Sequence, residues 1–155
     1  MKDRLKAELI AVLEASLATA RAAHAAAIEG STHEEARAEN DKDTRGLEQS
    51  YLARGQAQRV AELEAAIGDV TALALRTFTA KSPVALSALV TVDEDDGEHR
   101  FWLAPAGGGS VLADNIQVVT PNSPLGQALL GKRLDDEVEL RLPGKLRSFV
   151  VTAID

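Results

Sequence analysis

Apolar positions in the first half of the chain recur at intervals of three and four. Leu5, Leu9, Val12, Leu13, Leu17, Ala20, His24 and Ile28 fall on one stripe of a helix. After an interruption the stripe resumes with Leu47, Tyr51 or Leu52, then Val60, Leu63, Ile67 and Val70. Residues 2–76 contain no proline and few β-branched runs. Two helices with one narrow apolar stripe each are satisfied by folding back on each other, so residues 1–76 are expected to form an antiparallel coiled-coil hairpin. Gly30, Ser31 and Thr32 predict a kink, and the capping-box pair Ser31 and Glu34 predicts a helical restart. The reversal is expected at residues 40–43. Arms of roughly 30 residues would be roughly 45 Å long at ~1.5 Å per residue.

From Ser82 onward the period changes. "ALSALVTVDEDDGEHRFWLAPAGGG" contains two β-rich runs around an acidic turn, and "NIQVVT", "DEVELRLPG" and "RSFVVTAI" add three strand candidates. Proline and glycine punctuate them in "PAGGGS", "TPNSPLG" and "LPGK". "SPLGQALLG" has the marks of a short helix, with Ser123 as N-cap, Pro124 in the first turn and Gly131 as the stop. The expected class is α+β. Residues 82–155 should form a small domain in which an antiparallel sheet holds one short helix, and the boundary falls near residues 77–82.

Composition narrows the function classes. The chain has 155 residues and is 45% hydrophobic, 26% charged and 3% aromatic, with a net charge of −7 and no cysteine. Such a charge repels nucleic acid at long range, and five aromatic residues leave little for base stacking, so direct wrapping of DNA or RNA is not expected, and any nucleic acid would be contacted through a partner protein. Without cysteine there is neither a disulfide framework nor thiolate chemistry, which suits a cytoplasmic location. The opening "MKDRLKAELIAVLEA" carries charges through its first eight residues and reads as helix rather than signal peptide. No run of ~18 apolar residues is present, so no membrane span is expected.

Charge is concentrated between the two helical runs. "EGSTHEEARAENDKDTR" holds six carboxylates, Glu29, Glu34, Glu35, Glu39, Asp41 and Asp43. An acidic bend of this kind commonly does no more than solubilise a hairpin end and complement the positive end of the following helix. It is also what a metal-directed tip would require.

Two segments resemble the Gre-type bacterial transcript-cleavage factors, GreA and GreB. Ser123 to Val138, "SPLGQALLGKRLDDEV", followed by "LPGKLRSFVVTAI", is similar to that family's SP-(L/I)-(G/A)-x-A-L-(L/I)-G-K-x-x-G-D-x-V pattern and its closing Pro-Gly hairpin. Asp135 and Asp136 stand where the family has Gly-Asp. The second likeness is architectural, an N-terminal helical hairpin with an acidic tip. "EARAENDKDTRGLEQSY", Glu35 to Tyr51, resembles the family's tip at both ends, but "DKDTRGLE" replaces its central D-x-x-E-N.

The resemblance implies an FKBP-like C-terminal domain and a bacterial RNA polymerase as partner, with the hairpin entering the polymerase's secondary channel. It implies that tip carboxylates help hold a Mg²⁺ kept mainly by the polymerase. Asp41 and Asp43 are the candidate catalytic residues; Glu35 and Glu39 join them as candidate metal ligands, with Glu48 next in line. Mg²⁺ takes oxygen ligands and retains several waters, so one or two supplied carboxylates suffice. Such a protein would be a monomer and no self-contained enzyme, since it stimulates cleavage by its partner. Ser123, Pro124 and Leu125 are candidate docking residues, although Pro124 and Leu125 equally serve to start and anchor the short helix. The altered tip keeps an alternative open, a non-cleaving regulator of the same channel, and a plainer one, a coiled coil that binds something else.

Other constellations carry less. His24, His33 and His99 show no metal-ligand spacing, so His24 is expected in the hairpin stripe. "PAGGGS" lacks the lysine and the strand-loop-helix setting of a phosphate loop and reads as a hairpin turn. "DEDDGE" lacks the EF-hand layout and reads as a solvated β-turn. Trp102 should pack on the sheet or line its concave face.

Overall fold

The computed structural model describes residues 1–37 and 45–155, with side chains throughout except at residues 31–37, 45, 46 and 49. Two long helices come first, α1 (Lys2–Arg37) and α2 (Arg45–Thr71). Six strands and a short helix follow: β1 (Leu89–Glu94), β2 (Gly97–Leu103), β3 (Val111–Leu112), β4 (Ile116–Val119), α3 (Pro124–Leu129), β5 (Glu137–Leu142) and β6 (Lys145–Ile154). The fold is α+β. The chain divides into two compact units, Ala11–Gly68 and the combination of Met1–Ile10 with Asp69–Asp155.

In the helical unit α1 and α2 run antiparallel, and Arg21 donates to Glu64 across the pair at 3.1 Å. α1 continues through Gly30 and Ser31, so the expected restart does not occur. A single glycine costs a helix about 1 kcal/mol, which its alanine-rich surroundings offset. Leu13, Leu17, Ala20, Ala27 and Leu63 are buried in this unit. The expected stripe is off by one at its end, because Ala27 is buried while Ile28 is 46% exposed. At ~100° per residue, Ala27 lies about 20° round the helix from Ala20 and Ile28 about 80°. Leu47, Tyr51 and Leu52, also expected in the stripe, are exposed. By length and composition residues 2–30 resemble a membrane span, contrary to the sequence expectation. That apolar character comes mostly from alanine, and the stretch carries Arg21 in an ion pair.

The second unit is built on one sheet with strand order β3-β4-β2-β1-β6-β5. β2 and β4 pair in parallel, from Arg100 opposite Ile116 to Leu103 opposite Val119, while the other pairings are antiparallel. The sheet is therefore mixed, which corrects the antiparallel expectation. A parallel neighbour needs a crossover of about a dozen residues, and residues 104–115 supply it. "PAGGGS" opens that crossover instead of forming a hairpin turn, and β3, two residues long, is too short to carry a strand pattern.

Strand alternation gives the sheet two buried faces. Val90, Val92, Phe101, Leu103, Val119, Val138, Leu140, Phe149 and Val151 form one core with Leu129 of α3. Leu89, Trp102, Ile116 and Val118 alternate to the other face and are also buried, as are Leu5, Leu9, Val70 and Leu73 at the helix bases. The helix base approaches closely at Gly107, where an added Cβ would lie 2.6 Å from the Leu9 side chain. Arg4 pairs with Asp114 at 2.8 Å, Glu8 accepts from the Ala113 N–H at 2.8 Å, and Lys6 donates to the Leu73 carbonyl at 2.9 Å.

Ser87 ties the linker after α2 to this sheet. It is fully buried with φ +76°, an uncommon conformation for a residue with a side chain. Its N–H donates to the Leu103 carbonyl, its carbonyl accepts from Trp102 Nε1 at 3.1 Å, and its hydroxyl accepts from the Arg76 N–H at 2.9 Å. Every polar group of the residue is satisfied, which offsets the backbone strain. Trp102 thus packs on the sheet, one of the two placements expected for it.

Candidate functional site

α3 forms where the sequence pattern places it, and its capping is complete. Ser123 has an extended backbone, its Oγ accepts from the Gly126 N–H at 3.0 Å and donates to the Thr120 carbonyl at 2.8 Å. Pro124 occupies the first turn, where a missing N–H costs nothing. Gly126 is required by close approach, since a Cβ there would lie 2.0 Å from the Thr120 carbonyl oxygen. Gly131 ends the segment with φ +82°, and its N–H donates to the Val84 carbonyl at 2.8 Å. Asp135 takes φ +69°, so the aspartate standing at the pattern's glycine keeps the left-handed backbone that glycine would adopt freely.

The start of α3 borders a groove of about 390 Å³. Ser123, Pro124 and Leu125 line one side, with Gln117, Leu142 and Arg147 among the other lining residues. Leu125 is half-buried and packs against the core, while Pro124 is exposed. Leu125 therefore serves both as helix anchor and as groove wall, and Pro124 is free to touch a partner.

The acidic candidates are distributed differently. Glu35 lies on the backbone of the last turns of α1, and Glu48 is exposed in the first turn of α2. Glu39, Asp41 and Asp43 lie outside the described residues.

A further cluster, absent from the sequence reading as a site, stands at the β1–β2 turn. The Arg147 guanidinium donates to Glu94 through Nε at 3.1 Å and Nη2 at 2.8 Å. This fork holds the Glu94 carboxyl below its usual range and raises the Arg147 pKa. His99 Nε2 lies 2.8 Å from Asp96 Oδ1 and 3.6 Å from Glu94 Oε1. The hydrogen bond with His99 lowers the Asp96 pKa. Local sequence gave no signal for Arg147, because β6 reaches this turn only through the sheet. His99 and Asp96, three residues apart across a hairpin turn, did offer one. Arg147 also lines the groove at Ser123, so the two constellations share a residue.

Comparison with known proteins bears on the same segments. The family pattern of transcription elongation factor GreA/GreB, C-terminal domain, matches residues 79–155. The transcription elongation factor GreA of Sphingopyxis alaskensis is 32% identical over 129 residues, 79% of this chain and 77% of that protein. The GreA of Zymomonas mobilis subsp. mobilis is 29% identical over 129 residues, with the same shares of 79% and 77%. Among solved structures, the GreA factor homolog 1 (Gfh1) protein of Thermus thermophilus is 23% identical, with 94% of each chain covered and a TM-score of 0.41.

Proposed function

This chain belongs to the GreA/GreB family of transcription elongation factors, and from that premise we propose that it enters the secondary channel of a bacterial RNA polymerase and stimulates cleavage of backtracked RNA. Family membership implies a soluble, cytoplasmic accessory factor with RNA polymerase as its partner. The finer statements, channel, cleavage and metal, are ours.

The division of labour follows from the two units. The groove at Ser123, Pro124 and Leu125 is the docking surface. Its backbone is set by the Ser123 cap and the Gly126 approach before any partner arrives, so little ordering entropy is lost on binding. The hairpin supplies the effect. The observation that carries this is the antiparallel pairing of α1 and α2, which brings Arg37 and Arg45 to the same end of the helical unit. Residues 38–44, which join them, include Glu39, Asp41 and Asp43.

Asp41 and Asp43, with Glu35 and Glu39, are the residues that would hold Mg²⁺ together with the polymerase. The donor set consists of carboxylate oxygens, the ligand type that this ion selects. When bound, the ion supplies an activated water and charge stabilisation for the leaving oxygen. The chain's own contribution is to present carboxylates where that charge develops. It needs no substrate pocket, because the nucleic acid is held by the polymerase.

The test is RNA release from a stalled, backtracked elongation complex. The protein should accelerate cleavage of the transcript's 3′ end in the presence of Mg²⁺. An unchanged rate, with the protein still competing against an active Gre factor for polymerase, would replace cleavage by channel regulation. Failure to bind polymerase at all would overturn both.

A further inference from the structure

Beyond Arg147, which also lines the groove at Ser123, the cluster at the β1–β2 turn brings together three side chains that could hold a metal ion. Glu94 closes β1, Asp96 lies in the turn and His99 stands on β2. One ligand atom from each lies within 4.8 Å of the others. With bonds of about 2.1 Å, neighbouring ligands of a six-coordinate or tetrahedral ion stand roughly 3.0–3.4 Å apart. The His99–Asp96 separation of 2.8 Å and the His99–Glu94 separation of 3.6 Å bracket that interval. We propose that Glu94, Asp96 and His99 form a three-ligand site for a divalent first-row transition-metal cation of the Zn²⁺ class, with water completing the coordination.

Two of the three ligands are held from behind. The His99 ring stacks on Phe101 with centroids 6.5 Å apart and planes 16° apart, and Phe101 is buried in the core. Glu94 is oriented by the Arg147 fork, the kind of outer contact that fixes ligating carboxylates. Oε1 retains a second lone pair while it accepts from Arg147, so the fork and the ion can coexist. The guanidinium charge opposes that of the ion. Asp96 is largely exposed beside an open cavity of about 950 Å³. Asp93 and Asp95 line the same cavity, together with the cations Lys145 and Arg147.

Ligand chemistry selects the ion. An imidazole nitrogen with two carboxylates suits Zn²⁺, Ni²⁺ or Co²⁺, whereas Mg²⁺ demands oxygen. Binding replaces the proton between His99 Nε2 and Asp96 Oδ1 by the metal. The site is thus separate in chemistry from the Mg²⁺-directed carboxylates of the hairpin, and the two stand or fall independently.

The full-length protein should be titrated with Zn²⁺ near neutral pH by calorimetry, with the three imidazoles followed by NMR. One equivalent should bind and shift the His99 resonances, while Mg²⁺ leaves them in place. His99→Ala and Asp96→Asn should each weaken that binding at least about tenfold with an unchanged melting temperature in the absence of metal. Asp41→Asn with Asp43→Asn should leave it intact. Zn²⁺ that perturbs only His24 or His33, or affinity undiminished in His99→Ala, would overturn the assignment.

Discussion

The two units of this protein bury different things. In the sheet unit Trp102, Phe149, Leu89, Leu103 and Ile116 are closed off from solvent, and alternation along each strand fills both faces. Among its described residues the helical unit buries Leu13, Leu17, Ala20, Ala27 and Leu63, and two of these, Ala20 and Ala27, have one-carbon side chains. Its α2 also carries Gly55 and Gly68 in open space. Apolar area removed from water is what stabilises a fold, so the sheet unit holds itself together by bulk and the helical unit by a narrow seam. A large core rigidifies a surface for recognition. A thin pair of helices keeps only as much core as its pairing requires, and its sequence is left free for surface charge.

Substitutions can break that contrast at graded cost. Trp102→Ala should be the most damaging. It opens a cavity and strips the Ser87 carbonyl of its donor, for a loss of about 3–5 kcal/mol, measured by chemical denaturation of the whole chain. Leu63→Ala should cost about 2–4 kcal/mol, since Leu63 is 3% exposed within the seam. Hydrogen exchange should then show amides of residues 11–68 losing protection while those of β1, β2 and β6 keep it. Equal loss in both units would mean that they melt as one body. Ser123→Ala removes the α3 cap and should cost about 1 kcal/mol, with a larger fractional loss of polymerase affinity because the groove wall frays. Gly55→Ala reverses the sign. An alanine there meets no neighbouring atom, so the variant should gain about 0.5–1 kcal/mol, visible as a higher melting temperature of the helical unit.

What could be read from the sequence follows the range of the interactions involved. α3 was legible to its cap and its stop because serine, proline and glycine act within three or four residues. The strands β1, β2, β4, β5 and β6 were legible from alternation. The parallel pairing of β2 with β4 was not, because partner choice in a sheet is set by packing across the whole unit. The apolar stripe of α1 was legible at Leu5, Leu9, Leu13, Leu17 and Ala20 but also took in Val12 and Ile28, which are exposed; at its end hydrophobicity favoured Ile28 while helical geometry favoured Ala27. Hydrophobicity also placed Leu47, Tyr51 and Leu52 in the stripe, yet they are exposed, and the Arg54 guanidinium lies 5.5 Å from the Tyr51 ring centroid. The capping role of Ser123 and the first-turn place of Pro124 were legible from local sequence. The Arg147–Glu94 fork was invisible, since it joins residues that only the sheet brings together. The carboxylates Glu39, Asp41 and Asp43 stand out in the sequence as an acidic run and lie outside the described residues.

The proposed division, recognition by the sheet unit and chemistry by the hairpin carboxylates, can be tested in a single assay of backtracked complexes. Cleaved RNA is measured at increasing concentrations of Asp41→Asn with Asp43→Asn, and of Leu125→Ala, alone and in competition with the wild-type protein. The double variant should release no RNA at any concentration yet displace the wild type as well as the wild type displaces itself. Leu125→Ala should cleave normally once its weaker binding is saturated. A double variant that cleaves at the wild-type rate would contradict the assignment of chemistry to Asp41 and Asp43, and would leave their charge with no role beyond solvation.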